Sequence, residues 1–600
     1  MPADPSPVTI VATLGPASRD ERTVRALADA GTSVARLNAS HGSTADRERL
    51  VDRVRAVDAD REDTLAVMLD LAGPEIRTAP TDEPVKLVDG TTVRLVEGET
   101  LTPETVGLST PLDGVSAGDR VLLDDGRIET VVTGVDGGVT VRVESGGDLS
   151  GRKGVNVPGV DLGLDPVTER DERDLDLAAD RGVDFVAASF VRDADDVYRV
   201  SEALEERGAD IPVVAKIERA DAVANVEEII DAAHGIMVAR GDLGVECPLE
   251  AVPLIQKRIV RRCRDAGVPV ITATEMLDSM VHERRPTRAE ATDVANAVLD
   301  GTDAVMLSGE TAVGDHPVSV VETMDRIVRD VAGSDEYAEL REQRVPPAGD
   351  SGTDALARSA RYLARDVGAS AVVVASESGY TARTAAKYRP SIPVVAATPD
   401  HAVRRRLALH GGVVPRYVDL SSEGGEAVIH DAVGAALAAG VADSGETVVA
   451  LAGMMSDLEG VDTTNTLKLH VAASVVAAGR SVVEGYATGP VYRPRDGDLA
   501  ATPDGAVLVL PEGFDGEFDR DAGTLAGIVD ARSGVTSYAA IVARELGVPM
   551  VGAAQLPASV GDGDEVTVDG HRGVVYEGAV RRGHAAVSSG SHRATGDPPG

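Results

Sequence analysis

Short apolar runs recur through the first half of the chain, and each ends in polar or charged residues. They are VTIVATLGP (8–16), SVARLNAS (33–40), LAVMLDLA (65–72), FVAASFV (185–191), PVVAKIE (212–218), GIMVARGDL (235–243), PVITATEML (269–277) and AVMLSGET (304–311). Stretches with helical periodicity separate most of them. Eight strands alternating with helices predict an α/β chain built on a (β/α)8 barrel, the fold in which catalytic groups sit at the C-terminal ends of the strands. Here those ends carry Arg36, Asn38, Asp70, Ser189, Lys216, Glu218, Asp242, Thr274 and Ser308.

One connection breaks the alternation. More than 100 residues separate the third run from the fourth, and from about Arg77 to Gly159 the text changes to short alternating segments (VKLVDG, TTVRLVEG, RVLLDDGRIETVV, VTVRVES) with Gly-Asp turns. That predicts an all-β insertion over 77–159, with 1–76 and 160–335 left to the barrel. Hung at a strand's C-terminal end, it suits a lid that closes on substrate and excludes water, a decorative insertion being the alternative. The polar segment 333–352, with its Pro-Pro, reads as a linker. A second α/β unit is expected over 350–485, with strands AVVVAS, IPVVAAT and ETVVALAG, and a further small α/β unit over 490–583. The tail, 584–600, is expected to be disordered.

The stretch from Val213 to Glu246 concentrates the chemistry. Two apolar runs, ending in Lys216 and Glu218 and in Arg240 and Asp242, flank an amphipathic segment from Ala222 to Ala233. On a strand, residues two apart share a face, and parallel neighbours lie about 5 Å apart. Two carboxylates and a lysine then converge. Glu218 and Asp242 are suited to hold one hard cation, with the remaining positions left to water and substrate, as Mg2+ is held at phosphoryl-transfer sites. Lys216 would face the transferring phosphoryl group. The alternative on this stretch alone is a structural ion pair at a strand end. Against it stands the scarcity of lysine: the chain has six, at 86, 153, 216, 257, 387 and 468, so a lysine ending a buried strand points to a need for a compact charge.

Composition narrows the classes further. At 600 residues the chain is too long for one core and implies three or four domains. A net charge of -40 and a pI near 4.6 argue against a nucleic-acid or anionic-membrane partner. Acidity with little lysine, no Trp and 2% aromatics resembles a surface adapted to high salt, plain acidic composition being the alternative. The two cysteines, Cys247 and Cys263, suit a reducing compartment and make no metal cluster. The start, MPADPSPV, does not read as a targeting segment, and no apolar stretch reaches the roughly 18 residues of a membrane span, so a cytoplasmic protein is expected.

Several motifs then fall in one order: VARLNASHG (34–42), DLAGPEIRT (70–78), DDGRIE (124–129), KGVNVPG (153–159), AKIE (215–218), MVARGDLGVE (237–246), ATEMLDSM (273–280), RPTRAEATDVANAVLDGTDAVMLSGETAVGDHPV (285–318) and TTNTLKLH (463–470). That order resembles the pyruvate kinase family over about residues 8 to 490. The resemblance implies transfer of the phosphoryl group of phosphoenolpyruvate to ADP, giving pyruvate and ATP in glycolysis. It implies Mg2+ (or Mn2+) on Glu218 and Asp242, Lys216 stabilising the phosphoryl group in flight, and Arg36 contacting phosphate. The substrate carboxylate is implied at the amides of Gly241 and Asp242, and Thr274 near the enolate carbon. Asn38, Ser40, Asp70 and the backbone oxygen of Leu71 match the site for K+, and Glu75 falls where K+-dependent members carry Glu. Family members are commonly homotetramers.

The chain departs from the family pattern at Leu71 and Ala72, where the motif reads Thr-Lys, and at Glu275, where Gln is common. SESGYTAR (376–383) matches the loop that receives a phosphorylated allosteric effector in the family, through Ser376, Ser378, Gly379 and Thr381; ordinary helix capping is the alternative. The appended run SGVTSYAAIVARELGVPMV (533–551) resembles the phosphohistidine motif of the mobile domain of PEP-utilising enzymes. Tyr538 stands where that motif carries His, so a structural or regulatory role is expected there rather than phosphate carriage. The alternatives to an active kinase are a catalytically weak, phosphoenolpyruvate-binding regulatory paralogue and a dikinase-like carrier enzyme.

Overall fold

The computed structural model describes residues 6–420, 424–453, 464–494, 499, 501–514, 524–532 and 537–580. The eight predicted runs form eight parallel strands that close on themselves: β1 (Thr9–Leu14), β2 (Thr32–Asn38), β3 (Ala66–Asp70), β4 (Phe185–Ala188), β5 (Val213–Ile217), β6 (Gly235–Ala239), β7 (Val270–Ala273) and β8 (Ala304–Leu307). Each strand pairs with its neighbours in sequence, and β8 returns to β1. Because both faces are covered, the strands are rich in Val, Ile and Ala throughout. Val11, Val34, Met68, Val214, Met237, Ile271 and Met306 fill the interior, while the opposite faces pack on the surrounding helices.

The floor of the barrel is closed from outside. Ala408 and Leu409, from the second α/β unit, join the interior cluster, and Thr9 donates its hydroxyl to the carbonyl of Ala408 at 3.0 Å. The N-terminal end is therefore plugged, and the C-terminal rim carries the polar side chains.

Over that rim lies the β insertion between β3 and β4. Its seven-stranded sheet runs in the order 76–77, 154–156, 120–123, 128–134, 139–145, 92–97, 105–108, and a two-stranded ribbon pairs 85–87 with 147–149. The insertion buries its own core, including Leu95, Val106, Leu123 and Val141. Its alternation of buried and exposed positions, seen over Thr92–Glu97, is the half-covered antiparallel pattern read from the sequence.

The second α/β unit has a five-stranded sheet, four strands parallel and Thr464–Val471 antiparallel at one edge. Helices Gly352–Val367 and Tyr380–Lys387 cover one face and Gly425–Ala438 the other. Among the described residues, the appended unit is an eight-stranded mixed sheet with one helix, Tyr538–Leu546. This sheet takes in Val475–Ala478, Arg480–Val483 and Tyr486–Tyr492, so it begins upstream of residue 490, where the further unit is expected to start. The tail 584–600 lies outside the described residues.

Candidate active site

Lys216 occupies the end of β5, and its ammonium is the hub of the rim. Nζ lies 2.6 Å from Glu218 Oε1 and 3.4 Å from Asp70 Oδ1, and donates to Ser189 Oγ at 2.7 Å. Burial disfavours the charged form, but Asp70 and Glu218 outweigh it, so the pKa stands above the ordinary lysine value. Glu218 is itself buried, and its Oε2 accepts the amide of Phe190 at 2.8 Å. Phe190 has a left-handed backbone, φ 57°, which turns the chain after β4 so that this amide faces the carboxylate.

Arg36, on β2, is buried and bridges two strand ends. Nε donates to Asp70 Oδ2 at 2.6 Å and Nη1 to Thr13 Oγ1 at 3.0 Å. Burial alone would raise the pKa of Asp70, yet Arg36 and then Lys216 hold it below the usual carboxylate value.

Asp242 corrects one expectation. Arg240 and Asp242 do not share a strand face, because β6 ends at Ala239 and the helix Arg240–Glu246 begins at once. Residues two apart on a helix diverge by about 200°, so Arg240 turns to the β7 loop while Asp242 faces Glu218. Burial, then the charge of Glu218, raises the Asp242 carboxyl to about 7. A divalent cation shared with Glu218 would relieve both the burial and the repulsion that Asp242 bears. Among the described residues, no group of three or more His, Cys, Asp and Glu is arranged to hold a metal; the pair leaves its other positions to non-protein ligands.

Thr274 follows β7 with φ 67°, and its hydroxyl accepts the amide of Gly241 at 2.7 Å while donating to the carbonyl of Ala273 at 2.7 Å. The carboxylate cradle expected at Gly241 is thus filled by Thr274 in this structure. Glu275 is exposed.

The remaining residues fall as follows. Asn38 lies opposite Asp70 in the β2–β3 register, and its Oδ1 accepts the amide of Ser40 at 3.0 Å. The carbonyl of Leu71 accepts Ser189 Oγ at 2.9 Å. Ala72 and Gly73 donate their amides to Asp171 Oδ1, at 3.0 and 3.2 Å, and Glu75 pairs with Arg77 at 2.6 Å. Far from the rim, Gly379 (φ 77°) opens the helix Tyr380–Lys387. There Ser378 Oγ accepts the amide of Tyr380 at 3.4 Å, the amide of Ser376 donates to Ala397, and Thr381 Oγ1 lies 2.7 Å from Thr464 Oγ1. Tyr538 is half exposed at the start of its helix, and residues 533–536 of its motif lie outside the described residues.

Three groups had no role in the sequence reading. Ser189 was visible only as one polar strand end among nine. Thr13 and Asp293 carried no local signal, since their partners Arg36 and Arg240 are 23 and 53 residues away.

A closed parallel barrel whose C-terminal rim gathers a buried lysine, an arginine and paired carboxylates beneath a β insertion defines a phosphotransferase. The comparisons agree with that reading of the layout at the level of domains. Residues 6–321 match the family model of the pyruvate kinase barrel domain, 354–470 that of the pyruvate kinase alpha/beta domain, and 502–573 that of the mobile domain of PEP-utilising enzymes. The chain is 42% identical to the pyruvate kinase of Geobacillus stearothermophilus over 592 residues, covering 96% of this chain and 99% of that one. It is 40% identical to the pyruvate kinase of Bacillus licheniformis (95% and 98% covered) and 38% to that of Staphylococcus aureus (95% and 98%). The chain belongs to the pyruvate kinase family. It transfers the phosphoryl group of phosphoenolpyruvate to ADP, giving pyruvate and ATP in glycolysis.

Proposed function

We propose that Lys216, Arg36 and Thr274 carry this reaction, with Glu218 and Asp242 as the ligands of Mg2+ or Mn2+. The observation that carries the reading is the buried ammonium of Lys216, 2.6 Å from Glu218 and held charged by its neighbours. A fixed cation in a water-poor rim stabilises charge on a phosphoryl group in flight without reorganising. Arg36, anchored through Nε and Nη1, offers the rest of its fork to phosphate. Gly241 and Asp242 receive the substrate carboxylate once Thr274 releases the Gly241 amide. Glu218 and Asp242 would hold the divalent cation, which would supply positive charge against the negative charge of the substrate. The β insertion over 77–159 closes as the lid.

Asn38, Ser40, Asp70 and the Leu71 carbonyl form the K+ site in this reading. All are hard oxygen donors, and the β2–β3 register supports their meeting. Ser376, Ser378, Gly379 and Thr381 form the site of a phosphorylated effector. Its support is the left-handed Gly379 and the helix start behind it. The active form is a homotetramer, as the family resemblance implies, in the cytoplasm of a cell whose adaptation to salt is supported by the -40 charge and six lysines. With Tyr538 in place of His, the appended unit does not carry phosphate.

The test is pyruvate formation from phosphoenolpyruvate and ADP in concentrated KCl with Mg2+, repeated with NaCl, for the wild type and Lys216→Met. Turnover that needs both cations and falls at least about 100-fold in Lys216→Met is expected. Near-normal turnover of the variant would sink the role given to Lys216.

A further inference from the structure

We propose that Arg240 is a positioning residue: its guanidinium ties the β7 loop to the start of the helix Arg240–Glu246 and holds Thr274 in the strained conformation that sets its hydroxyl against Gly241. The inference rests on the reading of Gly241 and Thr274 as the groups that meet the substrate carboxylate.

Thr274 and Glu275 are consecutive left-handed residues, φ 67° and 54°. A β-branched residue there is a true outlier, and such a conformation persists only when its surroundings over-determine it. The sequence Ala273-Thr274-Glu275-Met276 contains no glycine to favour it, so the stabilisation comes from outside the loop.

Arg240 supplies it. Nε donates to the carbonyl of Ala273 at 3.1 Å, and Nη2 donates to the carbonyl of Thr274 at 2.9 Å and to Met276 Sδ at 2.8 Å. The outer side of the fork is fixed by Asp293, which takes Nη1 at 2.7 Å and lies 2.6 Å from Nη2, with Gln256 Oε1 at 3.4 Å. The carbonyl of Ala273 is shared: it accepts Arg240 Nε and also the hydroxyl of Thr274. Arg240 therefore orients the Thr274 hydroxyl through one common acceptor. A planar fork with fixed donors can span two successive carbonyls and a carboxylate; a lysine ammonium cannot.

The consequence is that the backbone from which the Thr274 hydroxyl turns away to release the Gly241 amide is set by a residue that never touches substrate. A displacement of that backbone by about 1 Å costs on the order of 100-fold in rate.

The experiment is a kinetic cycle of Arg240→Lys, Thr274→Ala and the double variant, with kcat and KM measured separately for phosphoenolpyruvate and ADP. Arg240→Lys is expected to lower kcat/KM for phosphoenolpyruvate about 100-fold while leaving the KM for ADP unchanged. Adding Thr274→Ala to it is expected to cost less than about tenfold more, because the two act as one unit. Multiplying losses, or a loss confined to thermal stability, would overturn the inference alone. A Thr274→Ala enzyme with wild-type kinetics would remove the underlying reading of Thr274 and the inference with it. Should Arg240→Lys not fold, Asp293→Asn frees the outer side of the guanidinium and must show the same non-additivity with Thr274→Ala, and its absence there counts equally against the inference.

Discussion

His410 is buried beside Leu409 at the barrel floor. Burial, and then the charges of Arg383 and Arg389, push its pKa from the ordinary 6.5 down to about 3. The folded state keeps it neutral, whereas the unfolded chain takes up a proton below about 6.5. The stability it contributes is present above that value and lost as pH falls toward 3. At pH 5 the loss is about 2 kcal/mol. Denaturant midpoints measured at pH 8 and pH 5 should differ less in His410→Asn than in the wild type. Residues at the rim differ in how legible they were. Lys216 and Glu218 stand at the end of an apolar run, so their place follows from local pattern. The bond between Gly241 and Thr274 joins residues 33 apart, and the left-handed φ of Thr274 has no glycine to announce it.

Among the elements, the strands were the most legible, because eight buried parallel strands must be apolar along their whole length. Their ends were less so. The run GIMVARGDL contains both a strand and the first turn of a helix, and only the backbone hydrogen bonds separate them. The amphipathic segment read from Ala222 to Ala233 is likewise two short helices, Ala220–Ala224 and Val226–Ala232, meeting at Asn225. Close approach between elements was invisible for the same reason. Gly15, after β1, packs on the helix Gly309–Ala312, where an added Cβ would stand 2.6 Å from the carbonyl of Ala312. The contact is stitched by Thr311, which donates to the carbonyl of Thr13, and Thr13 in turn accepts from Arg36. Gly15→Ala should therefore destabilise by about 1–3 kcal/mol and lower kcat through Arg36. Thermal unfolding beside steady-state kinetics checks both effects.

At the scale of the molecule, the barrel and the second α/β unit are joined by ion pairs that the sequence hides. Arg404 meets Asp58 at 2.5 Å with both side chains buried, and Arg405 meets Asp184, which Arg55 also contacts. Arg404→Ala leaves Asp58 buried without its closest cation and should cost about 3–5 kcal/mol. Because burial shields that pair, the deficit should persist in molar KCl, while the wild type gains stability as salt screens its surface. Unfolding in denaturant at low and high KCl measures both.

The chain's hydrophobic pattern was enough to specify eight strands, an intervening β unit and which side chains end the strands, because these depend on neighbours two to four residues apart. Its motifs carried the reaction. Barrel closure, the filling of the Gly241 cradle by Thr274, the fork of Arg240 on Asp293 and the plug of Ala408 and Leu409 were settled only in three dimensions. Each joins residues tens to hundreds of positions apart, and no local propensity encodes such a pairing.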